Sequence, residues 1–155
     1  MNNLSNGLSA GDICLTAAGL SNGTTTTHTV GNALTYVIDG EFKAKAAASN
    51  AATPTLDAMT GMAFKAVAAS QKCMYLFLVN AAGDVGVIQG EVIDDDEQYG
   101  ARSPMPASGW ALIGTVEVAA ASTYAGQFVM GVTNLSGVTG LTYTWTDRMA
   151  VEAQP

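Results

Sequence analysis

The chain has 155 residues and a mass of 15.8 kDa, the size of one compact domain. Hydrophobic residues make up 48% and charged residues only 12%, which excludes intrinsic disorder. Thirteen acidic against six basic side chains give a net charge of -7, which repels a phosphate backbone and excludes nucleic-acid binding, while a single His and two Cys leave little material for acid–base, metal or nucleophilic chemistry.

The first residues, MNNLSNGLSAGD, lack the basic start and apolar stretch of a secretory signal, so a protein made and folded in a reducing cytosol is expected. The Asn-x-Ser/Thr triplets at Asn3, Asn22 and Asn134 matter only on a secretory route. Ile13 to Ala18 and Thr25 to Val30 supply one or two strands, and the polar Thr24 to Thr27 tract after Ser21-Asn22-Gly23 suits an exposed edge strand or loop.

Ala33 to Ala46 carries the clearest local signal. Leu34, Tyr36 and Ile38 alternate with Thr35 and Val37, then Asp39-Gly40 intervenes, and Glu41 to Ala46 runs back. Asp-Gly between two β-rich runs is a strong hairpin code, because both turn residues take positive φ. In the return strand Phe42, Ala44 and Ala46 are expected on an apolar face, with Glu41, Lys43 and Lys45 carrying charge to water or a polar interface. Ala46 to Ala52 is rich in the best helix former, but Asn50, Thr53-Pro54 and Gly61 interrupt it, so the stretch is expected to be a loop with at most one helical turn.

A second hairpin joins Cys73–Val79 to Val85–Ile93 through Asn80-Ala81-Ala82-Gly83-Asp84. Its first strand is apolar on both faces, as a central strand between packed layers is, and Gly86 and Gly90 mark a bulge or a close backbone approach in the second. Seven apolar residues fall far short of the ~20 that cross a bilayer as a helix, so no membrane association is expected. Asp94 to Gly109, DDDEQYGARSPMPASG, reads as a long exposed connection of functional interest. Further strands are expected at Ala111–Val118, Gln127–Thr133 and Leu141–Thr146. The total is about eight short antiparallel strands, an all-β single-domain β-sandwich or jelly roll over residues 12–149, with a polar N-terminal arm (1–11) and a C-terminal tail (150–155).

No residue is assigned as catalytic, cofactor-binding or metal-ligating. The acidic run Asp94-Asp95-Asp96-Glu97 fails the calcium-loop spacing, since Tyr99 and Met105 stand where the glycine and the bidentate Glu belong. His28 lies among threonines without an orienting partner and reads as a hydrogen-bonded strand residue. Asp39, Asp57 and Asp147 look like turn and strand-end residues, and Cys14 and Cys73 like small buried hydrophobes instead of a disulfide. Tyr143 and Trp145 share one face of a strand and read as core; Trp110 is the better candidate for an exposed aromatic.

The order of these segments resembles the small structural proteins of tailed bacteriophages and prophages. The likeness runs through ALTYVIDGEFKAKAAASNAATPTLDAMTGMAFKAV and MYLFLVNAAGDVGVIQGEV to NLSGVTGLTYTWTD, about three quarters of the chain. It implies a non-enzymatic virion protein, most like a head decoration (cement) protein on the capsid exterior, bound to the major capsid protein and stabilising the head. Trimers are common in such proteins, so copies of itself, as a homotrimer, are implied partners. Few charges and threonine-rich edges suit close lateral packing. The expected interface comprises the arm (Met1, Asn2, Asn3, Leu4), the acidic loop (Asp94, Asp95, Asp96, Glu97, Tyr99, Arg102) with Trp110, and the tail (Gln154, Pro155). Two rivals remain: a carbohydrate-binding or adhesin module meeting a host-surface glycan, with Trp110 and Tyr99 around a groove, and a tail or neck component.

Overall fold

The computed structural model describes residues 12–96, 106 and 108–148. The fold is all-β, with ten strands and no helix among the described residues. They are β1 (Ile13–Cys14), β2 (Leu20–Asn22), β3 (Thr27–Val30), β4 (Leu34–Ile38), β5 (Glu41–Lys45), β6 (Ala48–Ala52), β7 (Gln71–Asn80), β8 (Val85–Asp94), β9 (Trp110–Ala120) and β10 (Leu141–Asp147). Seven form one large sheet in the order β5-β4-β1-β9-β7-β8, with β10 alongside the C-terminal part of β9; β2-β3-β6 form a small second sheet.

Both hairpins exist as the sequence predicts. Asp39 and Gly40 take φ of 50° and 79°, the doubly positive turn that matches strand twist. In the second hairpin, the Asn80 side chain accepts from the backbone N–H groups of Ala82 and Asp84 and so braces the turn. β7 lies between β8 and β9, buried on both faces. Cys73, Tyr75, Phe77 and Val79 point into the main core, where Leu20 and Val30 of the small sheet meet them. Leu76 and Leu78 point the other way and form a smaller cluster with Ile88, Met74, Leu112 and Trp110. Opposite the β7 segment Cys73–Tyr75, β8 carries an extra residue at Gly90–Glu91, the expected bulge. A side chain at Gly86 would come within 2.7 Å of the Trp110 ring, the expected close approach.

Four expectations are corrected. Ala48–Ala52 is a strand, because the free edge of β3 supplies a ladder (Thr27 opposite Ala52, Val30 opposite Ala48) that outweighs alanine's helix preference, and Asn50, at φ 54°, breaks any helical run. Gln127–Thr133 keeps only one bridge, Phe128 to Val67, because Gly131 turns left-handed where a Cβ would collide with the Pro54 carbonyl. The sheets are not wholly antiparallel, since β1 runs parallel to β9. The faces of β5 are also inverted. Opposed residues share a face, and Tyr36 and Leu34 of the core oppose Lys43 and Lys45, whereas Phe42 opposes Val37 on the outer face. The two lysines are half-buried at the rim, with their stems free to cover apolar surface, and Phe42 is 75% exposed.

Candidate interaction surface

The large sheet has one face on the main core and one facing outward. Across that outer face the register aligns Phe42, Val37, Ile13, Leu112 and Leu78 in a row spanning five strands. The row is buried at its β7 end and open at its β5 end, where Ile13 is 41% and Leu15 36% exposed beside Phe42. An uncharged strip of this kind on a chain of net charge -7 is the surface best suited to contact another protein. At its upper end the Asp12 carboxylate accepts from the N–H groups of Asp39 and Gly109, tying the β4–β5 turn to the entrance of β9. Beside it, Glu41 and Lys43 form an ion pair at 2.7 Å, and that bond lowers the Glu41 carboxyl pKa and raises that of the Lys43 ammonium.

The interface residues expected from the sequence do not gather into one site. Trp110 opposes Asn80 at one end of β7, and Asp94 opposes Gln71 at the other, about 30 Å away at strand rise. Trp110 is half-buried, its ring over Gly86, which corrects the expectation of an exposed aromatic platform. Asp94, Asp95 and Asp96 are exposed and, with Ser70 and Ser122, line an open notch of about 590 Å³. The Asp95 N–H donates to the Ser70 carbonyl, and Lys72 Nζ donates to the Asp95 carbonyl at 3.0 Å while its carboxylate lies at 3.8 Å. Among the described residues no three His, Cys, Asp or Glu groups converge as metal ligands. Met1, Asn2, Asn3, Leu4, Glu97, Tyr99, Arg102, Gln154 and Pro155 lie outside the described residues.

The chemically distinctive side chains are absorbed by packing. His28 is fully buried on β3: Nδ1 lies 3.1 Å from the Thr53 hydroxyl, the ring stands edge-on to Phe77, and Nε2 has no partner. Burial, aided by the charge of Lys45, lowers its pKa to about 4, so it is neutral at pH 7. Asp57 accepts from the N–H groups of Met59, Thr60 and Gln89; Asp147 accepts from those of Gly19 and Leu20. Cys14 and Cys73 are free, buried thiols, and desolvation pushes Cys73 up to about 11. Tyr143 packs on Phe128 and Trp145 on Phe77, and Trp145 donates its indole N–H to the Asn22 side-chain oxygen.

The apolar row escaped the sequence reading, although its signal was present. A two-residue turn fixes Ile38 opposite Glu41, and that register alone places Phe42 with Val37 and away from Tyr36. Comparison with known proteins finds no family model, curated protein or solved structure that matches this chain.

Proposed function

We propose that this chain is a non-enzymatic structural subunit of a tailed-bacteriophage virion, a head decoration protein that binds the outer surface of the major capsid protein lattice and stabilises it. In this reading it is made in the host cytoplasm and assembles on the capsid exterior as copies of itself, most simply threefold. The observation that carries the reading is the uncharged outer row from Phe42 to Leu112, an apolar strip that is open at its β5 end on a well-packed β unit. Such a protein acts by repeated contact, not by chemistry, and symmetric shells repeat one contact many times. The side chains that would otherwise suggest catalysis, His28, Asp57 and Asp147, are engaged in packing or backbone hydrogen bonds. The glycan-binding rival needs an exposed aromatic platform, and Trp110 is half-covered.

Cryo-electron microscopy of virions that carry the protein tests this. Regular density for the chain at lattice positions on the capsid exterior is the expected result. Density confined to the tail or neck, or none on any particle, overturns it.

A further inference from the structure

We propose that β5 is a self-recognition edge, through which two copies of this chain pair antiparallel about a twofold axis at Phe42 and join their large sheets. This goes beyond the decoration reading: it names a twofold contact on a surface that a threefold assembly does not require, and it stands or falls separately.

β5 is the terminal strand of the large sheet and pairs only with β4 among the described residues. In a two-residue hairpin the closing pair, here Ile38 and Glu41, is hydrogen-bonded, and the pairs then alternate. Phe42 and Ala44 therefore turn their N–H and C=O groups to the free edge, where a second strand can take them up. The opposite edge, at β8, is already closed. Ala58 donates its N–H to the Val87 carbonyl, and the Asp57 carboxylate takes the Gln89 N–H.

The register follows from symmetry and charge. An axis perpendicular to the sheet keeps both outer faces on one side, and same-face pairing then requires the axis to pass through a residue. At Phe42 it sets the two exposed phenyl rings side by side and places Glu41 opposite Lys43 of the second copy, twice. Moved to Lys43, it would set two ammonium groups face to face. Lysines on an edge strand guard against indiscriminate pairing. A strand that presents a carboxylate in register gives Lys43 a second acidic neighbour, and this chain's own β5 does so, which favours contact with itself over strands that lack one. Glu41 and Lys43 meet at 2.7 Å within one chain, so the two charges lie on one face of β5, where a paired copy would add its own two to form a four-charge cluster. Pairing would also join two open ends of the apolar row, bringing Ile13 and Val37 of both copies into one strip around Phe42.

The test is sedimentation equilibrium of the full chain across the micromolar to sub-millimolar range. The expected result is a monomer–dimer equilibrium for the unaltered chain, weakened at least about tenfold, or about 1.4 kcal/mol, by E41K and by K43E singly and regained in the E41K/K43E double variant. F42D, which places like charges on the axis, is expected to abolish the dimer while leaving the melting temperature in place, since Phe42 is exposed. A chain monomeric throughout, an oligomer indifferent to both charge reversals, or a double variant as weak as the singles overturns the proposal. Should F42D fold poorly, the charge cycle alone decides.

Discussion

The two hairpins are built from the same local code and meet opposite fates. β4–β5 and β7–β8 are each two strands around a turn with a left-handed glycine, Gly40 in one and Gly83 in the other. Yet β7 is buried on both faces in the middle of the large sheet, whereas β5 ends that sheet with an aromatic ring in solvent. Turn chemistry and alternation specify a hairpin; which neighbours flank it specifies what is buried.

Paired substitutions sharpen that contrast. Phe77→Ala removes a ring wedged between His28 and Trp145 and is expected to cost about 3–5 kcal/mol, while Phe42→Ala is expected to stay within about 0.5 kcal/mol, both read from urea unfolding. Equal losses would break the distinction between the hairpins. Next in size is the acid response of the core that Phe77 shares with His28. The unfolded imidazole takes up its proton near pH 6.5 and the folded one only near 4, so this contribution to stability is complete above 6.5 and is lost as pH falls through that window. The loss approaches about 3 kcal/mol, from a shift worth about 1.4 kcal/mol per pH unit. As the chain has one His, proton NMR of its ring reports the titration unambiguously, and a midpoint near 6.5 in the folded state would sink the prediction. Smaller than the acid response is the effect at the turn. Gly40→Ala, at φ 79° with open space around it, is expected to cost about 1 kcal/mol through backbone strain alone, lowering the melting temperature without altering the strands.

Much of the fold was legible wherever a signal was local. Asp39-Gly40, the doubly apolar run Cys73–Val79 and the alternation of Tyr143 with Trp145 each determine an element within a few residues. The errors fall where a distant partner decides. Ala48–Ala52 is a strand only because β3 offers its edge, and Phe128 fails to extend into one only because Gly131 must turn beside Pro54. The candidate surface was less legible still. Trp110 looked exposed until Gly86, two strands over in the sheet, made room for its ring. The outer row takes its five residues from five strands, so no stretch of sequence displays it.

The two-residue strand β1 carries a consequence for how the chain is made. It is held in the large sheet from one side by β4 and from the other by a parallel bridge from Ile13 to Leu112, 99 residues further along the chain. Closing so long a loop is entropically slow, and parallel pairing gives it little local help. On a ribosome the β4–β5 and β7–β8 hairpins can form as they emerge. The strand that unites them into one sheet must wait until Leu112 has left the exit tunnel, so the hairpins form early and locally and the completed sheet forms later.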